Sequence, residues 1–269
     1  MGVRSRFRAL GWQNFDPAAG SKGLPRLIAK WDARYGVYKD HGMTQLAGNG
    51  DVVNAWQDLS GNGLHLKQVA APGLTYNPTG LNGKPCLLSD GNTTYNQTDP
   101  TMTLRGKFTI LGVLWGSDYG HIFLHGAGNY GGTDQGVRVY SSYAQDGSGY
   151  QSIDAHFYGY ESANIANGNL WLAAYTTGVI LRARSDGSAT GLGIWANGVQ
   201  KTPAGSGVQL YNPANQTLST HTDTFILGGI FNGYILTGKY QYLAIYDDYI
   251  DDATCVQQEA LLNSIWGVH

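Results

Sequence analysis

The chain has 269 residues, of which 42% are hydrophobic and only 13% charged, with a formal net charge of −2. That balance excludes a disordered chain, which needs low hydrophobicity and high charge, and no stretch approaches the roughly 18 consecutive apolar residues of a membrane-spanning helix. With 39 Gly and 18 Tyr, the composition is that of a turn-rich, aromatic β-protein long enough to bury a sizeable core.

Residues 1–26 show no sustained period and hold Gly11, Pro17, Gly20, Gly23 and Pro25 around Trp12 and Phe15, the texture of an arm that orders only against something else. The charge is divided near there. Residues 1–34 carry seven bases against two acids, or +5, and the rest carries ten against seventeen, or −7. A basic arm before an acidic body reads as an anchor reaching onto another surface or as a solvated terminus. Arg4, Arg6 and Arg8 alternate along it and, with Trp12, are the candidate anchoring residues. The opening MGVRSRFRALGW lacks the apolar core of a secretory signal, so export by that route is not expected.

From Leu27 onward, short apolar runs alternate with turn residues. The expected strands are 27–33, 64–68, 85–89, 107–115, 121–125, 136–140, 153–158, 170–176, 191–196, 224–229 and 239–247. In the last of these both alternating faces are apolar, which suits a strand buried on two sides. Asn197-Gly198 between IWA and VQK predicts a tight hairpin, because both turn residues need φ > 0. The end alone reads as helical: Asp251 or Asp252 caps residues 253–266, Ala253, Val256, Ala260, Leu261 and Ile265 form the apolar face, and Gly267 stops it. About a dozen strands and one helix predict an all-β sandwich.

Cys86 and Cys255 are the only cysteines. Their separation fits no metal-ligand spacing, and they read as small buried hydrophobes, with a disulfide between them unforced.

The order of motifs carries a resemblance. A tryptophan strand at Trp31 precedes WQDLSGNGLH (56–65), and LNGKP (81–85) leads to Ser89-Asp90-Gly91; FTILGVLW, GIWANGV, Leu227-Gly228-Gly229, Gly238 to Tyr246 and Trp266-Gly267 then follow. This resembles the concanavalin A-like, laminin-G-like jelly roll over residues 27–267, and implies a jelly-roll β-sandwich at 27–269 behind an N-terminal arm at 1–26. In such a fold the Ser-Gly-Asn-Gly run is a turn, Trp56 packs inward and His65 is structural.

The related fold hosts glycan-cleaving enzymes, whose paired carboxylates sit about 5 Å apart. This chain has two glutamates, Glu161 and Glu259, neither with an acidic neighbour at i, i+2 or i, i+4. No G-x-S-x-G or G-x-x-x-x-G-K-[ST] appears, so an enzyme is not expected. The resemblance also implies calcium, for which Asp247, Asp248, Asp251 and Asp252 offer oxygen ligands. Helix capping accounts for those carboxylates, and no cofactor is expected. The candidate glycan-binding residues are Tyr143, Tyr150, Asp154, Tyr158 and Tyr160, which combine aromatic faces with a carboxylate; core filling is the competing account for some of them.

The resemblance implies a bacteriophage virion protein, in head decoration or tail fibre. It would be assembled in the host cytoplasm, anchored by its arm to capsid or tail proteins, and would project as a homo-oligomer such as a trimer. The displayed domain is expected to adhere to host surface polysaccharide without inserting into a membrane. A free carbohydrate-binding lectin is the alternative from another class, and a polysaccharide depolymerase a third.

Overall fold

The computed structural model describes residues 26–69, 73–91, 96–117, 120–125, 136–143, 151–159, 162–168, 177–187, 192–200, 221–227 and 237–269. The arm with Arg4, Arg6, Arg8 and Trp12 lies outside these, as do Tyr150, Tyr160, Glu161 and the expected strand at 170–176.

In chain order the strands begin with β1 (Leu27–Asp32), β2 (Val37–Tyr38), β3 (Ala55–Trp56), β4 (His65–Gln68), β5 (Thr75–Leu81) and β6 (Lys84–Asp90). They continue with β7 (Asn96–Asp99), β8 (Met102–Leu104), β9 (Lys107–Ser117), β10 (Gly120–His125), β11 (Gly136–Tyr143), β12 (Gln151–Gly159) and β13 (Ser162–Gly168). The last are β14 (Val179–Asp186), β15 (Leu192–Ala196), β16 (Val199–Gln200), β17 (His221–Asp223), β18 (Phe225–Leu227) and β19 (Thr237–Tyr246), before helix α1 (Asp252–Trp266).

Two antiparallel sheets form the sandwich. The first orders β16-β15-β14-β9-β19-β6-β5, with β1 also on β19; the second orders β13-β12-β11-β10-β18-β7-β4-β3-β2. One edge of β19 serves two partners, because residues 237–240 pair with β6 and residues 242–246 with β1. Between them Gln241 interrupts the register with β9, and this fully buried side chain donates its Nε2–H to Leu81 O at 3.0 Å. A bulge here turns the alternation expected along 239–247 by one residue, so Tyr240 and Tyr242 do not continue one face as simple alternation requires.

The sheets meet through apolar side chains. The Trp31 ring stacks on Phe225 across the interface at 5.5 Å and 16°, and both side chains are inaccessible to solvent. Leu66, Trp56 and Leu227 line the same side of the second sheet, opposite Ala29, Ile245 and Ala183 of the first. Truncating either aromatic to Ala would cost about 3–5 kcal/mol, the transfer term plus the cavity left between two rigid sheets.

WQDLSGNGLH is a fold corner. Asp58 Oδ1 accepts from the backbone N–H of Lys30 at 3.0 Å and Ser60 at 2.8 Å, and its Oδ2 accepts from Leu64 N at 3.1 Å. Asn62 Nδ2 donates to Ile28 O at 2.7 Å, and Trp31 Nε1 donates to Leu64 O at 3.1 Å, so the turn is tied to β1 at both ends. His65 Nδ1 accepts from Asp58 N at 3.1 Å, and burial holds the ring's pKa below its ordinary value, which keeps that acceptor available.

The hairpin and the helix ends fall where the turn and cap residues place them. Asn197 and Gly198 take φ of 49° and 77° between β15 and β16. Asp251 caps α1 by accepting from Thr254 N at 2.9 Å, and Gly267 closes it in the left-handed region. The expected apolar face is displaced by about one residue: Cys255, Glu259, Leu262 and Trp266 are buried, whereas Val256, Leu261, Ala253 and Ala260 are exposed. The physical reason is a buried ionic lock that outweighs apolar content.

Candidate functional site

That lock lies on the outer side of the first sheet. Arg182 and Arg184 alternate with Leu181 and Ala183 along β14; the apolar pair enters the sandwich, and the arginines leave on the other face with side chains only 2% exposed. Helix α1 covers them. Arg184 Nη1 donates to Ile250 O at 2.7 Å, and Nη2 pairs with Asp252 Oδ1. Arg182 Nε lies 3.2 Å from Glu259 Oε1, an ion pair by distance although its angle falls short of a hydrogen bond. Both guanidiniums lie against the Trp195 ring, at 4.3 and 4.2 Å, and Arg184 also against Tyr249 at 4.2 Å. Trp195 folds over Gly193, where a Cβ would stand 2.3 Å from the indole. Burial pushes the Glu259 carboxyl up, opposed by Arg182 and Arg184. This closed cluster fastens a helix and presents no reacting group to a ligand.

The aspartates near the helix have structural partners. Asp247 lies 3.4 Å from Arg26 Nε, Asp248 accepts from Tyr249 N at 2.8 Å, Asp251 caps and Asp252 joins the lock. Among the described residues, no three His, Cys, Asp or Glu side chains converge as a metal site. Cys86 and Cys255 are free and buried, and burial pushes the Cys86 thiol up to about 11.

The outer face of the second sheet differs in kind. Phe225 and Leu227 point into the core, and the backbone register pairs Leu227 with Phe123, Phe123 with Val139 and Val139 with Ala155. On β11 and β12 the same register pairs Arg138 with His156 and Tyr140 with Asp154. Toward the other end of the sheet, His65, Lys67, Gln97, Asp99 and Ile226 lie on the side away from the core, all partly or fully exposed. One row of paired residues, Lys67–Gln97–Ile226–Leu124–Arg138–His156–Ile165, crosses seven strands. A second aligns His121, Tyr140, Asp154 and Asn167. Helix α1 lies on the other sheet and covers none of this.

Of the candidate glycan-binding residues, Tyr143 lies on β11 and Asp154 and Tyr158 on β12, where the register pairs Tyr143 with Gln151, Asp154 with Tyr140 and Tyr158 with Gly136.

No family model and no curated protein matches the chain. Solved structures do. Domain 4 of a GH43 extracellular arabinanase from Geobacillus stearothermophilus, in complex with arabinotriose, is similar at TM-score 0.53 and 13% identity, over 87% of this chain and 98% of that one. The binding domain of Paraclostridial Mosquitocidal Protein 1 is similar at TM-score 0.53 and 11% identity, over 89% of this chain and 52% of that one. A Trypanosoma rangeli sialidase is similar at TM-score 0.52 and 13% identity, over 89% of this chain and 33% of that one. The chain therefore spans about a third of the sialidase and about half of the toxin domain. At such identities the likeness shows the fold, a β-sandwich of the type found in glycosidase-associated domains. Among the described residues no helix is long and apolar enough to cross a membrane.

Proposed function

We propose that this chain is a carbohydrate-binding β-sandwich that acts by adhesion and not by catalysis. The observation that carries the reading is the accessible outer side of the second sheet at Lys67, Gln97 and Ile226, with Tyr140, Asp154, Tyr158 and Asn167 on the strands β11, β12 and β13 of the same sheet. Tyrosine rings offer flat apolar surfaces to the C–H faces of sugars, and carboxylate and amide groups hydrogen-bond to their hydroxyls. The similar arabinanase domain, seen with arabinotriose, is in keeping with it. Calorimetric titration of the full chain with arabino-, xylo- and manno-oligosaccharides tests it, with and without calcium. Saturable binding with no new reducing ends is the expected result. Release of reducing ends would make the protein a depolymerase, and silence toward every glycan would end the reading.

The finer reading is display on a bacteriophage particle, with a laminin-G-like domain outward and Arg4, Arg6, Arg8 and Trp12 docked to a capsid or tail protein. The division of charge between a basic N-terminal segment and an acidic body supports it. Removing residues 1–26 should abolish incorporation into particles while leaving glycan binding intact; unchanged incorporation would sink the anchoring role.

A further inference from the structure

We propose that a short stretch of neutral glycan binds across β2, β3, β4 and β7, stacked on the Tyr38 ring and hydrogen-bonded by Gln57, His65, Lys67 and Asp99; this rests on the glycan-binding reading above. The direction of these side chains follows from their buried neighbours. Val37, Trp56, Leu66 and Thr98 are buried on the core side of the second sheet, so the residues that alternate with them face out. Pairing sets Tyr38, Ala55, Lys67 and Gln97 in one outward row and His65 with Asp99 in the next, and Gln57 lies two residues along the chain from Ala55.

Tyr38 is fixed flat on the sheet. It pairs with Ala55, yet its hydroxyl donates to Gln57 Oε1 at 3.3 Å, two residues farther along. The ring therefore leans over Ala55, which is 0% exposed although it points away from the core. Gly36 opposite Gln57 leaves room for this, since a Cβ there would stand 2.6 Å from Gln57 Cβ. One face of the partly exposed ring rests on the sheet and the other is offered outward, beside Leu46, which bridges to Tyr38 and is 68% exposed. A flat aromatic face with an apolar neighbour is the surface against which the C–H face of a sugar packs.

The polar groups around that face narrow the ligand. Gln57 Oε1 is taken by Tyr38, which leaves its amide N–H groups to donate. His65 Nδ1 accepts from Asp58 N, so the neutral ring carries its proton on Nε2, and burial keeps the ring neutral by holding its pKa below the ordinary value. Lys67 Nζ and Asp99 Oδ2 lie 3.1 Å apart, with side chains 31% and 67% exposed, and add a donor and an acceptor whose charges cancel. No uncompensated charge remains to select a carboxylate, so the site suits a neutral sugar over an acidic one. From β2 to β7 three strand spacings of about 4.8 Å span about 14 Å, which roughly two to three sugar rings fill.

The test is calorimetric titration of the full chain with neutral arabinan, xylan and mannan oligosaccharides of one to six residues, with oligogalacturonate as the acidic comparison. For at least one neutral series, affinity should rise with length to about three rings and then level off, and should change little between low and high salt. Tyr38→Ala should weaken that binding by about tenfold or more and Asp99→Asn by about threefold, while Leu261→Ser on the far helix leaves it unchanged. Asp99 is exposed, so a loss there with an unaltered melting temperature separates recognition from folding. If the wild type binds no glycan, the parent reading fails. If it binds and the Tyr38 and Asp99 variants bind equally well, this site is wrong and the parent reading stands. Binding confined to oligogalacturonate, or lost in high salt, overturns the neutral ligand.

Discussion

The two outer faces of the sandwich are built from the same alternating strands and meet opposite fates. On the first sheet, β14 sends Arg182 and Arg184 outward, and α1 buries them beneath Asp252, Glu259, Trp195 and Tyr249. On the second, Lys67 and Gln97 point outward and stay accessible, with Lys67 paired to Asp99 at 3.1 Å on the surface. A polar residue on a strand is thus no guide to solvent; what packs over the sheet decides. The covered face contributes to stability, and the other stays accessible at Lys67, Gln97 and Asp99.

Breaking the lock gives the largest effect. Arg184→Ala removes the donor to Ile250 O, the counterion of Asp252 and two ring contacts, and should cost about 3–5 kcal/mol by urea unfolding. A loss below 1 kcal/mol would mean that the helix is held by Leu262 and Trp266 alone.

Lys30 gives a smaller and pH-dependent effect at the rim of the covered sheet. Burial holds its amine down to about 8 from an ordinary 10.5, with Asp32 opposing and Arg34 adding to the shift. The folded state therefore binds this proton less tightly than the unfolded chain. The penalty is complete below pH 8 and is relieved as pH climbs from about 8 to 10.5. Relative to Lys30→Met, the wild type should gain roughly 1–3 kcal/mol across that interval. Parallel stability curves for the two proteins would refute the shift.

On the open face the effect should nearly vanish. Lys67→Ala breaks an ion pair whose Asp99 side chain is 67% exposed, and should change stability by less than about 0.5 kcal/mol, less still in high salt. A cost comparable to that of Arg184→Ala would erase the distinction between the faces.

Local chemistry was legible where one residue type answers one backbone demand. Asn197-Gly198, the Asp251 cap, Gly267 and the Asp58 corner all sit as the sequence predicts, because φ > 0 and orphan N–H groups admit few solutions. The failures share another cause. VILRARSD forms β14 in the middle of the first sheet, yet its two arginines make it look like no core strand, since their burial depends on a helix 68 residues later in the chain. The helix face was misplaced for the same reason, as Glu259 earns its place only through Arg182. The β11–β12 register, which pairs Tyr143 with Gln151 and Tyr140 with Asp154, was invisible in the sequence because strand pairing is set by contacts between segments and not by either segment alone.

The most direct measurement is a two-dimensional amide NMR titration of the isotopically labelled full chain with the neutral oligosaccharide it binds best. Shifts concentrated in residues 37–38, 55–57, 65–67 and 97–99, with residues 179–186 and 252–266 silent, are the predicted result. Shifts centred on the helix-covered sheet would contradict the division of labour between the two faces.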